Sequence, residues 1–341
     1  MRVGITYNLR SDTDNMHPEH LLVEDAFEEF DTEDTIDAIA DVLGKANHSV
    51  IKLGWGRAAL KQLISSRIDF VFNVSEGYWG RNRESQMPAL LEMLEIPHSG
   101  SDPLALSLAL DKISAKQILK YNKIKTPDYF VINKREDVEI LPQGLKYPLF
   151  VKPAWEGSSK GISQSSKICK KECLSERADY LLNTYPGQPI LVEQYIPGRE
   201  FTVGVLGNEK PVVLGVMEIM PKAKKGEDFF YSIEVKRDWQ NLVSYECPAR
   251  ISEHLNKQLQ TSAIKAFKAF GLRDIARIDF RMNNSGDVYF IEINPLPGLS
   301  PKYSDIVIMA RKMGWAYESL VTTIFNNAVS RYKTDLAYEK I

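Results

Sequence analysis

Arg277-Ile-Asp-Phe-Arg-Met-Asn-Asn-Ser-Gly-Asp-Val-Tyr-Phe-Ile-Glu-Ile-Asn-Pro-Leu-Pro-Gly298 organises the rest of the chain. It reads as two strands joined at Asn283-Asn284-Ser285-Gly286, a polar tetrad able to supply positive φ angles. With Met282 set opposite Asp287, Arg277 falls opposite Glu292 and Asp279 opposite Phe290. Period-two alternation then puts Arg277, Asp279, Glu292 and Asn294 on one face, and Ile278, Phe280, Ile291 and Ile293 on the other. Asp279 and Glu292 become diagonal neighbours, about 7–8 Å apart, within reach of one bridging ion. Two carboxylates and one amide oxygen on a stiff hairpin suit a hard cation such as Mg²⁺ or Mn²⁺. The plainer reading is a solvent-facing hairpin with an Arg–Glu pair. Asn294-Pro-Leu-Pro-Gly298 weighs against it, because a surface face needs no rigid turn pinned directly behind its polar residues.

At 341 residues the chain exceeds one comfortable core, so two or three domains are expected. Hydrophobic content of 44% and charged content of 26% are ordinary for a folded protein. A net charge of −2 gives no electrostatic case for nucleic acid or an anionic membrane as partner. No apolar run approaches the ~20 residues of a spanning helix, and Met1-Arg-Val-Gly-Ile-Thr enters a strand directly, without a signal-peptide pattern. Cys169, Cys173 and Cys247 are too few for a disulfide framework, and Cys169-x-x-x-Cys173 lacks the second pair a metal site needs. The expectation is a reduced, cytoplasmic protein.

Val3–Tyr7, Asn47–Leu53 and Ile68–Val74 read as strands alternating with helices, the first helix opening at Thr32 with acids in its first turn. Such alternation predicts an α/β domain on a parallel sheet, with ligands collecting at strand C-termini. The loop Ser75-Glu-Gly-Tyr-Trp-Gly-Arg-Asn-Arg-Glu84 leaves the third strand and meets a helix N-terminus, as a carboxylate or other anion pocket would. Ile96-Pro-His-Ser-Gly-Ser-Asp-Pro103 is rich in breakers and ends the first domain; His98 in it reads as structural.

Leu104–Tyr121 reads as a helix with Lys112 and Lys116 one turn apart, and Tyr147–Pro153 as a strand ending at Lys152. Ala154-Trp-Glu-Gly-Ser-Ser-Lys-Gly-Ile162 can turn backbone N–H groups toward a phosphate, although no phosphate-loop Gly-Lys-Ser order is present. Ile190–Val205 alternates as a strand, a Pro-Gly turn and a strand, with Glu193 and Glu200 flanking the turn as partners for adenine and ribose donors.

Together these segments resemble the ATP-grasp superfamily, and within it the D-alanine–D-alanine ligase branch. The resemblance is strongest in Leu110–Lys116, Val151–Gly161, Glu193–Val203, Cys247-Pro-Ala249 and Arg277–Ser300. It implies α+β lobes holding ATP, preceded by the parallel-sheet domain: 1–103 on the substrate side, 104–189 a small lobe, 190–341 a lobe carrying the metal hairpin. By that resemblance Lys112 and Lys152 contact nucleotide phosphates, with Ser159 beside them in the glycine-rich loop. Glu193 and Glu200 meet adenine and ribose, and Gln194, Tyr195 and Ile196 supply the hinge. Asp279, Glu292 and Asn294 hold the metal. Arg277 and the Gly298 amide stabilise an oxyanion, Ser158 stands on the substrate side, and Lys236 reaches the γ-phosphate from a lid spanning Lys222 to Tyr245. The branch is often dimeric, so a homodimer is expected.

The departures from the branch fall on the substrate side. Its opening Gly-Gly-x-Ser-x-Glu signature is absent, leaving Glu28 or Glu29 for the amino-binding acid. Its His-Gly-x-x-Gly-Glu-Asp-Gly loop is here Glu76-Gly-Tyr-Trp-Gly-Arg-Asn-Arg83, and Arg237 and Tyr303 replace an expected tyrosine and serine. The reaction implied is ATP-dependent joining of a carboxylate to an amine through an acyl phosphate, on small amino-acid-like substrates. Arg81, Arg83 and Arg237 suggest a substrate with an extra anionic group; the opposing reading is that Glu76 and Glu84 pair the arginines internally and leave the pocket neutral. Rival readings are ligation of an amino acid to a non-peptide acid and an ATP-binding regulatory protein without chemistry; the intact set Arg277, Asp279, Glu292 and Asn294 argues against the last.

Overall fold

The computed structural model describes residues 1–11, 24–222 and 229–338. In chain order the elements begin β1 (Arg2–Thr6), α1 (Glu33–Lys45), β2 (Ser49–Gly54), α2 (Gly56–Ser65), β3 (Phe70–Asn73) and α3 (Arg83–Met93). β1 is central in a parallel sheet ordered β2-β1-β3. The strand–helix alternation read from the sequence thus gives the expected sheet, and Thr32 precedes α1 without bonding its backbone.

Next come α4 (Pro103–Leu110) and α5 (Lys112–Tyr121). The single helix expected over Leu104–Tyr121 breaks at Asp111, whose carboxylate accepts from the Ser114 N–H and caps α5. β4 (Tyr129–Ile132), β5 (Leu149–Pro153), β6 (Lys167–Ile168), α6 (Lys171–Thr184) and β7 (Ile190–Gln194) form a smaller lobe around an antiparallel sheet ordered β4-β7-β5-β6.

β8 (Arg199–Gly207), β9 (Val212–Pro221), α7 (Ile233–Arg237), α8 (Trp239–Leu242), β10 (Val243–Glu246), α9 (Glu253–Ala269), β11 (Asp274–Met282) and β12 (Val288–Asn294) follow. Their strands make an antiparallel sheet ordered β10-β9-β8-β11-β12. Phe201, Val203, Phe280 and Phe290 point from it into a core closed by α9, joined there by Ala105, Ala109 and Leu119 of α4 and α5. These two helices therefore pack with the large sheet rather than with the lobe 104–189 to which the sequence reading assigns them.

α10 (Asp305–Lys312) and α11 (Tyr317–Tyr338) complete the chain. They cover the other face of the large sheet and share a core with Val3, Ile5, Phe70 and Phe72 of the N-terminal sheet. The approach of α10 is close: a Cβ on Gly204 would lie 2.6 Å from Ile306 Cδ1, so β8 needs glycine there. No helix among the described residues is long and apolar enough to cross a membrane.

Candidate active site

The β11–β12 hairpin differs from the expected register by a longer turn and a compensating bulge. Asn283 N donates to Asp287 O (3.0 Å), and Asn283 Oδ1 accepts from Ser285 N and Asp287 N, so Met282 faces Val288. A register shift between Asp279 and Phe280 then sets Asp279 directly opposite Glu292 and Arg277 opposite Asn294. The polar face survives with its carboxylates nearer than a diagonal would bring them. Ile291 changes sides and lines the cleft between the sheets.

On that face Arg277 bonds Asp279 (3.2 and 3.0 Å) and Asp305 (3.0 Å), and Asn294 Nδ2 donates to Asp279 Oδ2 at 3.1 Å. Glu292 pairs with Lys112 at 2.9 Å. Burial pushes the Asp279 carboxyl up against the pull of Arg277, whereas Lys112 and Lys152 hold Glu292 below its ordinary range despite burial. Among the described residues no three His, Cys, Asp or Glu side chains form a group that could hold a metal ion. The candidate ligand set is two carboxylates and an amide. Its all-oxygen donors fit a hard divalent cation, which would offset the burial cost at Asp279.

Between the two antiparallel sheets lies a cavity of about 140 Å³, walled by Phe150, Ile196, Phe230 and Ile291. Lys152, Ser159, Glu193, Gln194, Tyr195 and Glu200 also line it. Glu193 is buried between Lys116 (2.5 Å) and Lys152 (2.7 Å). Despite burial, these lysines hold its carboxyl down to about 2. Both of its oxygens thus face lysines, where the sequence reading gives the carboxylate to adenine. Glu200 is paired with Arg281 at 2.7 Å, and the same guanidinium donates to Ile196 O. In the loop after β5, Ser158 and Ser159 have φ of 51° and 61°, a left-handed conformation that costs a non-glycine residue energy and here curls the loop around the cavity.

A larger cavity of about 310 Å³ opens toward the N-terminal sheet. Ser158, Tyr231, Lys236, Arg277, Glu292 and Asp305 line both cavities, so the two meet at these residues. Gly298 and Tyr303 line only the larger one. Lys236, at the end of α7, donates to Glu28 O (3.2 Å) and Ser158 O (3.4 Å), and burial pushes its ammonium pKa down. The lid expected over Lys222–Tyr245 is in part described: Ser159 donates to Tyr231 O and Ile233 N to Ile162 O, docking residues 231–237 on the serine loop. Its Lys224, Lys225 and Gly226 lie outside the described residues.

The arginines expected around the substrate are placed otherwise. Arg81 lies outside both cavities, pairs with Asp111 at 2.5 Å and sits over the Trp155 ring. Arg83 is buried behind the larger cavity, bound to Glu29 (2.7 Å) and to Trp155 O (2.6 Å). Arg237 reaches the cavity but is held by Glu24 (2.7 Å) and Glu28 (2.8 Å). Local carboxylates therefore neutralise all three: Asp111 serves Arg81, and the acidic segment before α1 folds against Arg83 and Arg237.

The same pairing accounts for both amino-binding candidates. Glu28 serves Arg237. Glu29 accepts from Gly157 N (2.9 Å), Arg83 and Lys160, which hold its carboxyl far below its ordinary range despite burial. A Cβ on Gly157 would lie 2.5 Å from Glu29 Oε1, so glycine is what permits that contact. Glu76 does line the cavity, and two further acids join it there, Asp31 and Glu84. Sequence reasoning missed Asp31 as a site residue, along with Asp305. The one available signal for Asp305 was an acid in the first turn of a helix behind the Pro-Gly turn.

A family model described as "D-ala D-ala ligase C-terminus" matches residues 117–326. The D-alanine–D-alanine ligase of Carboxydothermus hydrogenoformans is 36% identical over 298 residues, covering 85% of this chain and 91% of that protein. That of Aquifex aeolicus is 34% identical, covering 84% and 92%. The structure of the Bacillus anthracis D-alanine–D-alanine ligase complexed with ATP has a similar fold, with a TM-score of 0.73 at 22% identity over 98% of this chain and 99% of that one.

Proposed function

The chain belongs to the D-alanine–D-alanine ligase family of ATP-dependent, ADP-forming ATP-grasp ligases, and on that footing we propose that it phosphorylates the carboxylate of one amino-acid-like substrate and joins its acyl group to the amine of a second. The observation that carries this reading is the meeting of the two cavities at Ser158, Lys236, Arg277 and Glu292. A phosphoryl group leaving a nucleotide in the smaller cavity and an acid waiting in the larger one would share that junction.

A free carboxylate resists attack by an amine because oxide is a poor leaving group. Transfer of the γ-phosphoryl group to the carboxylate oxygen gives an acyl phosphate and ADP. The amine then attacks the acyl carbon, and phosphate departs with the C–O bonding pair. In this reading adenine stacks between Phe150, Ile196 and Phe230, with the Gln194–Ile196 segment at its edge and Glu200 toward the ribose. Lys112, Lys152 and Lys236 gather phosphate charge, and Arg277 with the Gly298 N–H faces the tetrahedral oxyanion. Asp279, Glu292 and Asn294 would hold Mg²⁺, which when bound supplies Lewis-acid neutralisation of phosphate charge. With Asp279 and Glu292 engaged as ligands, Arg277 and Lys112 would be free to meet phosphate and substrate charge. In the domain reading, residues 1–103 shape the substrate end, and 104–189 with 190–341 enclose the nucleotide.

The test is ADP and phosphate release from MgATP with a panel of amino acids, with hydroxylamine added to trap the acyl phosphate as a hydroxamate. Amino-acid-dependent ADP release and a trapped hydroxamate are expected. ATP binding without turnover across the whole panel would reduce the chain to a nucleotide binder.

A further inference from the structure

Six of the charged side chains lining the larger cavity, Arg277, Asp305, Arg237, Glu28, Glu29 and Glu292, pair with partners of opposite sign: Arg277 with Asp279 and Asp305, Arg237 with Glu28, Glu29 with Arg83, Glu292 with Lys112. Lys236 is held by backbone carbonyls. Glu84 is the exception that points to a ligand. It stands in the first turn of α3, is only 7% exposed and lines the cavity, yet its carboxylate has no hydrogen-bond or ion-pair partner among the described residues. Glu76, half-buried on the loop before α3, is likewise unpartnered through its side chain and lines the same wall. Asn8 fixes this wall: its side chain accepts from Glu76 N and Gly77 N, and its carbonyl accepts from Asp31 N. Asp31 completes the set, and the charge of Arg10 acts against its burial.

Buried carboxylates without partners are costly, and several close together cannot all stay ionised. Glu76 and Glu84 both feel the charges of Arg83 and Glu29; beyond these, Glu76 feels Glu84 and Asp31, and Glu84 feels Lys112 and Glu292. Glu84 therefore lies nearer the junction and Glu76 nearer Asp31. A single α-ammonium would compensate one of them and leave the other buried and unmatched.

We infer that the larger cavity takes an amino acid bearing a second ammonium group, with Glu84 and Glu76 as specificity-determining residues that each receive one cation. This rests on the ligase reading above and reverses the anionic substrate suggested by the arginine-rich loop. The second cation is what the branch's His-Gly opening of this loop would not bind and what Glu76 in its place can.

The experiment measures ADP release from MgATP with alanine, aspartate, 2,3-diaminopropionate, 2,4-diaminobutyrate, ornithine and lysine, each in both enantiomers. A diamino acid should exceed alanine and aspartate by about tenfold or more in kcat/KM, the scale of one charge-assisted hydrogen bond. E84Q and E76Q should each raise KM for that diamino acid about tenfold, leave KM for ATP unchanged and erase the preference over alanine. A merely structural role would lower activity on all substrates alike, and melting curves of both variants check folding. Turnover with alanine or aspartate equal to or above every diamino acid overturns the inference while leaving the ligase reading intact. If no amino acid elicits turnover the ligase reading fails; calorimetric titration of the same acids into the ATP-bound protein then decides this inference, which fails if no diamino acid binds more tightly than alanine.

Discussion

The two cavities of this molecule are built on opposite electrostatic plans. Around the smaller cavity, the one proposed for the nucleotide, the charges come matched before any ligand arrives: Glu193 between two lysines, Glu200 against Arg281, Glu292 against Lys112, Arg277 between Asp279 and Asp305. Around the larger cavity Arg237 and Arg277 are matched, Lys236 rests on backbone carbonyls, and the carboxylates of Glu76 and Glu84 are left without a partner among the described residues. A matched wall keeps its shape without its ligand and can open pairs to it on arrival. An unmatched wall is stabilised only by the right ligand, and so it discriminates.

The strongest test of the matched plan is Glu193→Ala. Removing the shared carboxylate leaves Lys116 and Lys152 facing each other, both almost fully buried. A loss of about 3–5 kcal/mol in unfolding free energy is expected, as for other buried pairs deprived of one partner. Chemical denaturation checks it, and a loss under about 1 kcal/mol would show that the lysines escape to solvent and that the pairing is incidental.

Next in size are Asp279→Asn and Glu292→Gln. Both keep shape and remove charge, so both should fold while turnover at saturating Mg²⁺ falls by about 10²–10³, the scale of losing one group that meets developing charge. Near-wild-type turnover in either would falsify its assignment to the metal.

The unmatched plan predicts a pH dependence of opposite sign to the usual acid unfolding. Burial pushes both Asp31 and Glu84 up to about 7, from ordinary values of 3.8 and 4.5. Across that interval the folded chain binds more protons than the unfolded one, so the contribution of these groups to stability falls as pH rises from about 4.5 to 7. Glu193, held at about 2, acts the other way, and its contribution is lost only below about pH 4.5. Ligand-free protein should lose on the order of 1–3 kcal/mol between pH 5 and 8, and Glu84→Gln should shallow that slope. Because the buried His98 imidazole, pushed down to about 4, works in the opposite sense up to about pH 6.5, the variant decides: a slope unchanged by Glu84→Gln would mean that Glu84 titrates normally.

What the sequence disclosed follows from how local each feature is. The polar face of the β11–β12 hairpin was legible because alternation is a property of each strand alone, and it outlasted an error of register. The register itself depended on how Asn283 folds its own turn and on a bulge at Asp279, neither of which leaves a pattern in composition. The arginine loop misled for a related reason. Counting Arg81, Arg83 and Arg237 as site charges ignored Glu24, Glu28, Glu29 and Asp111, which are distant in sequence from most of them and adjacent in space. A charge can be assigned to a ligand only after the fold has used what it needs.

Arg81→Ala is the smallest of the expected effects, and it sharpens that point. The Arg81 side chain is 53% exposed and pairs with Asp111, which already caps α5 through the Ser114 N–H. An exposed ion pair of this kind is worth about 0–1 kcal/mol, because solvent screens it and the long side chain gives up rotamer freedom to hold it. Asp111 keeps its backbone bond in the variant, so Lys112 at the start of α5 should hold its place beside Glu292. Turnover should stay within about threefold of wild type, and the ranking of substrates in the amino-acid panel should not change. Were Arg81 a substrate-binding cation, the ranking itself would move, with acidic amino acids losing ground to neutral ones. A shift of that kind would place Arg81 in the working site after all, and the charge difference between the two cavities would then have to be drawn again with one more cation on the substrate side.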